Sequence, residues 1–276
     1  MIPGWVSGRR DAIMSVMRPN PLRARWAAGE PAIGGWLSIP SQLTAEAAAS
    51  ADLDYVCIDM QHGLIDFSDA VHMLPAVTLG GVTPIIRIPE NSTANISTAL
   101  DAGAIGVIIP LVNTVEEAVA VVASCRYPPV GERSYGATRA AAVEGPDYYD
   151  RANDEVVCIP MIETLEAIDD IDNILSVSGI DVAYVGPSDL SISMGYRPGT
   201  EAEPFLAMLD RIVEACNRHG VVPGIQASPA TAPDRLARGF RMVTVVSDIL
   251  VFRVAVDLAI ADAKAAGPGR PRPPLY

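Results

Sequence analysis

The chain is 276 residues long, half of them hydrophobic, with a formal net charge of −13 at pH 7. That length and apolar content suffice for one large α/β domain or two small ones, while the acidic balance argues against a nucleic-acid partner, because phosphate binding needs a basic face. The only lysine, Lys264, lies close to the C-terminus and well away from any expected strand, so Schiff-base chemistry has no lysine to carry it in a pocket.

No apolar run reaches the ~18 residues of a membrane-spanning helix, and no membrane association is expected. The first thirty residues hold Arg9, Arg10, Arg18, Arg23 and Arg25 but no apolar stretch resembling a signal peptide, which gives the expectation of a cytoplasmic protein. Cys57, Cys125, Cys158 and Cys216 are widely separated, fit no zinc spacing and read as buried free thiols.

In chain order, residues 1–19 lack a strand pattern and are expected to be an N-terminal extension. Short runs rich in Val and Ile then recur at 32–38, 54–59, 83–88, 106–110, 156–162, 182–186, 221–225 and 242–246. Ala-rich amphipathic segments such as TVEEAVAVVASC separate them. Eight near-continuously apolar strands alternating with helices indicate a parallel sheet covered on its outside. The most economical closure is a (β/α)8 TIM barrel over 20–266. The alternative, a doubly wound open sheet, lacks a G-x-G-x-x-G at its first strand–helix turn. The stretch 127–154, rich in glycine and proline, is too long for a plain loop and would suit an active-site loop or a subunit contact. The tail 267–276 is proline-rich and expected to be extended.

Barrel enzymes place their chemistry at the C-terminal ends of the strands. Read there, the first run carries Trp36, the second ends in Asp59 and His62, and the third carries Arg87. The fifth ends in Glu163, and the sixth leads into Gly186-Pro187-Ser188-Asp189. Glu163 and Asp189 form a pair of hard oxygen ligands for a divalent cation such as Mg2+, Mn2+ or Co2+, with water and substrate completing the shell. Equally, Glu163 could open a helix and Asp189 cap one. An arginine inside an apolar strand is costly unless it faces an anion, either a substrate or a buried carboxylate. His62 is placed for acid–base work, with a satisfied core histidine as the alternative. His72 and His219 read as helix-surface residues. Gly186 and Pro187 lead into a helix start whose N–H groups favour a carboxylate or phosphate. A metal beside that cradle would suit a 2-oxo acid, with Arg87 on the enolate oxygen and His62 managing a proton.

These motifs carry a resemblance. AAGEPAIGGWLS, DYVCIDMQHG, TPIIRIPE, ALDAGAIGVIIPLVNTVEEA, CRYPPVGERSYG, MIET and GIDVAYVGPSDLSISMG, in this order and spacing, make the chain similar to the HpcH/HpaI aldolases. These are metal-dependent class II pyruvate aldolases that include 4-hydroxy-2-oxoheptanedioate aldolase, 2-dehydro-3-deoxyglucarate aldolase and macrophomate synthase. The resemblance runs from about residue 20 to 263 and implies a barrel of the phosphoenolpyruvate/pyruvate-domain type. It implies an aldehyde-lyase that cleaves a 4-hydroxy-2-oxo acid to pyruvate or hydroxypyruvate and an aldehyde, through a metal-stabilised enolate.

Carried over by position, Glu163 and Asp189 become the metal ligands and Arg87 the enolate-stabilising residue. His62 becomes the acid–base group, oriented by Asp101 across a subunit boundary, with Asp59 in the same network. The backbone of Gly186, Pro187 and Ser188 would hold the substrate carboxylate, and Trp36 a wall of the pocket. The family assembles as a hexamer, a trimer of dimers, with the eighth helix exchanged between partners; here that helix would be 247–266. Gln61 stands where some members have Glu, and Met161 where some have Gln, which places the chain nearer the macrophomate-synthase-like branch. Two rival readings stay open: a malyl- or citryl-CoA lyase, although no basic cluster offers itself to the CoA phosphates, and a catalytically inactive barrel acting as a binding protein.

Overall fold

The computed structural model describes Met17 and residues 19–265. The expected extension (apart from Met17 and Pro19) and the expected tail lie outside the described residues. Eight parallel strands close into a barrel in chain order: β1 Ala32–Leu37, β2 Tyr55–Asp59, β3 Thr83–Arg87, β4 Gly106–Ile109, β5 Val157–Ile162, β6 Val182–Val185, β7 Val222–Gln226 and β8 Met242–Ser247. The expected runs and the observed strands coincide to within a residue at either end.

Why the chain punctuates itself this way is visible at the helix starts. Ser41, Asp66, Ser92, Thr114 and Thr164 each cap a helix that follows a strand, their side-chain oxygens accepting a first-turn N–H. Along each strand the side chains alternate between two layers. Val56, Ile58, Ile86, Val107, Ile109 and Cys158 face the surrounding helices. Trp36, Tyr55, Cys57, Ile85, Ile108, Ile159, Met161 and Tyr184 fill the barrel interior. Gly34 makes room for one of these, because a Cβ there would sit 2.1 Å from Cζ of Tyr55. The hydroxyls of Tyr55 and Tyr184 both meet Thr244 Oγ1, at 2.8 and 2.6 Å. The helix Pro21–Ala27 closes the far end, burying Leu22 and Trp26 against the interior.

Two regions refine the sequence reading. The stretch 127–154 contains the helix Thr138–Glu144 and all but the last residue of the helix Tyr148–Glu155. It joins the end of the helix Val115–Cys125 to the start of β5, so connectivity puts it at the barrel end opposite the strand C-termini. An active-site loop of its own chain is therefore ruled out for it. The last helix, Asp248–Ala265, matches its expected limits but has no buried residue over its whole length. Phe252, Val254 and Leu258 are each more than half exposed. Its start is pinned where Asp248 accepts the N–H groups of Ser38 and Ile39. Beyond that an apolar groove of about 570 Å³ runs between it and residues such as Leu43 and Leu53. No helix among the described residues is long and apolar enough to cross a membrane.

Candidate active site

The two-residue period that packs the interior also delivers the polar residues to one end of it. On β2 the inward series is Tyr55, Cys57, Asp59; on β3 it is Ile85, Arg87. On β5 and just past it the series is Val157, Ile159, Met161, Glu163, and from β6 it is Val182, Tyr184, Gly186. Each series is apolar until its last member, at the strand C-terminus. Trp36 ends the same series on β1.

The strand register sets Asp59 directly opposite Arg87. Arg87 donates from Nε to Asp59 Oδ1 at 2.8 Å and from Nη2 to Oδ2 at 2.6 Å, with both residues almost fully buried. Trp36 Nε1 adds a donor to Asp59 Oδ2 at 3.1 Å, and its ring lies 4.8 Å from the guanidinium carbon. Tyr184 stacks against Trp36 from below, with centroids 5.9 Å apart. Burial alone would push the Asp59 carboxyl up, but the hydrogen bonds and charge of Arg87 outweigh it and hold Asp59 below the usual carboxylate range. The pair is thus ionised and rigid. Arg87 Nη1 has no hydrogen bond among the described residues, which leaves one donor edge of the fork for an incoming anion.

Glu163 is the contrasting carboxylate. It is 3 % exposed, and among the described residues its carboxylate has one hydrogen bond, accepted by Oε1 from the Leu111 N–H at 2.9 Å. Burial pushes its carboxyl above the ordinary range and the charge of Asp189 adds to this, against the opposing Leu111 N–H and Arg87 charge. Oε2 lies against Gly186, where a Cβ would come within 2.3 Å. Asp189, exposed, sits in the first turn of the helix Pro187–Ser193. No side chain caps that helix, Pro187 has no N–H to offer, and the N–H groups of Ser188 and Asp189 have no partner among the described residues.

Two mutually repelling carboxylates, one of them buried with a free oxygen, are what a divalent cation would relieve. Hard oxygen donors of this kind fit Mg2+, Mn2+ or Co2+. No cluster of three or more His, Cys, Asp or Glu suited to a metal occurs among the described residues.

The other expected site residues divide. His62 lies on the turn after β2, exposed, with its N–H on Asp59 Oδ1 at 3.2 Å and no hydrogen bond to its ring among the described residues. Gly63 keeps that turn tight, since a Cβ would meet the Asp59 carbonyl oxygen at 2.2 Å. Asp101 is not brought to the mouth of its own chain. It ends the helix Thr93–Asp101 at the opposite barrel end and ion-pairs with Arg133 at 2.8 Å. Arg133 is itself buried between the rings of Tyr127 and Tyr148. Tyr184 and Leu111 were not singled out by sequence. Tyr184 could have been found by counting back two residues from Gly186, whereas nothing in the residue types around Leu111 marks it. Of the two departures, Met161 lines the site beside Gly186, and Gln61 buries its carboxamide oxygen without a partner among the described residues.

Residues 32–255 match the family model described as HpcH/HpaI aldolase/citrate lyase. A hydroxypyruvate/pyruvate aldolase of Rhizorhabdus wittichii is 41 % identical over 249 residues, covering 89 % of this chain and 99 % of that protein. A 2-keto-3-deoxy-L-rhamnonate aldolase of Escherichia coli is 37 % identical over 260 residues, covering 93 % and 97 %. A crystal structure of an HpcH/HpaI aldolase/citrate lyase family protein from Burkholderia cenocepacia superposes with a TM-score of 0.83 at 31 % identity, over 89 % of this chain and 99 % of the other.

Proposed function

The chain belongs to the HpcH/HpaI aldolase/citrate lyase family and is an aldehyde-lyase, and from that premise we propose that it reversibly cleaves a 4-hydroxy-2-oxo acid to an aldehyde and pyruvate or hydroxypyruvate. The observation that carries the reading is the division between two buried carboxylates. Asp59 is neutralised by Arg87, while Glu163 keeps a free oxygen beside Asp189.

Glu163 and Asp189 would hold a divalent cation, Mg2+, Mn2+ or Co2+, which supplies Lewis acidity to the 2-oxo group. The uncapped N–H groups at Ser188 and Asp189 receive the substrate carboxylate at a helix N-terminus, with Gly186 and Pro187 shaping the approach. The free edge of Arg87 faces the keto oxygen. As the C3–C4 bond breaks and negative charge moves onto that oxygen, the guanidinium is already oriented by Asp59 and Trp36, so it stabilises the enolate without rearranging. His62 takes the proton of the 4-hydroxyl as the aldehyde forms. Trp36 forms a wall of the pocket.

Asp101 stands at the far end of its own barrel, so orientation of His62 by Asp101 calls for a second copy of the chain. The unburied last helix supports such an assembly: a helix exchanged between partners, within a hexamer built as a trimer of dimers, would bury its apolar faces. We place the protein in the cytoplasm.

The test is pyruvate release from a panel of 4-hydroxy-2-oxo acids by metal-stripped protein. Release should require added Mg2+, Mn2+ or Co2+ and stop on chelation. Cleavage at full rate in the presence of a strong chelator would overturn the reading.

A further inference from the structure

Leu111 is the only described residue other than glycine with a positive φ, +54°. A Cβ makes that region unfavourable, so leucine there signals that its surroundings impose it. Burial of the side chain is not the cause, because Leu111 is 50 % exposed. The neighbouring hydrogen bonds supply one. On its N-terminal side the Leu111 N–H is committed to Glu163 Oε1 at 2.9 Å. Two residues later, Asn113 Oδ1 accepts the hydroxyl hydrogen of Thr164 at 2.6 Å, and the Asn113 N–H is held by Glu117 Oε2 at 2.7 Å. Val112, between them, is fully buried. The loop after β4 therefore grips two successive residues, Glu163 and Thr164, from both sides of position 111, and the left-handed turn at Leu111 reconciles the two grips.

The consequence falls on Glu163. With Oε1 held by a backbone donor, rotation of the carboxylate is blocked, and Oε2 stays in the space left by the missing Cβ of Gly186. We propose that Leu111 is a positioning residue that acts through its left-handed backbone, fixing Glu163 Oε1 so that Oε2 is presented for metal binding. This rests on the reading of Glu163 as a metal ligand.

The experiment is Mn2+ titration, by calorimetry or by the EPR signal of free Mn2+, on wild type, Glu163→Gln, Leu111→Gly, Leu111→Asn and Leu111→Val, each with a thermal melt to establish folding. Glycine and asparagine tolerate the left-handed region and keep the N–H; both variants should bind within about twofold of wild type although the apolar side chain is gone. Valine keeps an apolar side chain but resists that region, and its Kd should weaken by about tenfold or more. Should Leu111→Val not fold, the α-hydroxy acid analogue of leucine at 111, which exchanges the N–H for an ester oxygen, carries the same expectation. A role confined to stability would move the melts without ordering Kd by backbone tolerance. Wild-type affinity in the folded valine or ester variant, or equal weakening in Leu111→Gly and Leu111→Val, would overturn the proposal while Glu163→Gln still lost binding. Undiminished Mn2+ binding in Glu163→Gln would remove the reading of Glu163 as ligand, and this proposal with it.

Discussion

Arg87 commits Nε and Nη2 to Asp59 and leaves Nη1 without a hydrogen bond among the described residues, and that division would separate its structural from its chemical work. Arg87→Ala should lower kcat by ~10²–10³-fold, the usual cost of losing one preorganised donor to a developing oxyanion, with a smaller change in KM. Arg87→Lys should not restore the rate, since an ammonium cannot both reproduce the fork onto Asp59 and face the substrate. Steady-state kinetics on the preferred substrate checks both.

Glu163 makes a prediction of the opposite kind, on stability. Its carboxyl is raised by burial, so between its unfolded and folded values the native state binds more protons and stability falls as pH rises through that window. Metal-free Glu163→Gln should therefore melt above metal-free wild type at about pH 7, at ~2–4 °C per 1 kcal/mol. The gap should narrow as pH falls toward the ordinary glutamate range. Differential scanning calorimetry at several pH values measures it, and a Glu163→Gln protein that melts lower at about pH 7 would contradict the assignment.

Among the elements, the eight strands were legible because burial on both faces leaves each one as a short Val/Ile run with polar residues only at its end. The polar strand ends were legible for the same reason: Asp59, Arg87 and Glu163 interrupt apolar strings where no solvent-facing position is available. What the sequence left out depends on geometry between elements. The 127–154 stretch contains too few long apolar repeats to announce its two short helices. Its position away from the mouth follows from connectivity. The conformation of Leu111 follows from hydrogen bonds to residues some fifty positions away.

The last helix shows the reverse case. Its apolar residues on more than one face were plain in the sequence, and in the fold they remain uncovered. Light scattering after size-exclusion chromatography should find an oligomer for wild type. Phe252→Asp combined with Leu258→Asp should shift it to smaller species, because two charges would then be buried in an apolar contact. A monomeric wild type would contradict helix exchange.

Over the whole molecule, an acidic chain without a pocket lysine closes a barrel whose interior is filled by apolar and aromatic side chains up to its last layer, and that layer alternates a neutralised carboxylate with an open one. Asp59 and Arg87 on adjacent strands make a neutral ion pair, and Glu163 and Asp189 make an acidic one. The central claim is enolate formation from a bound 2-oxo acid, and the most direct test omits the aldehyde altogether: exchange of the pyruvate methyl protons with deuterium oxide, followed by proton NMR. Exchange should need Mg2+, Mn2+ or Co2+, slow by ~10²–10³-fold in Arg87→Ala and be abolished in Glu163→Gln. Exchange that persists after chelation, or at the wild-type rate in Glu163→Gln, would contradict it.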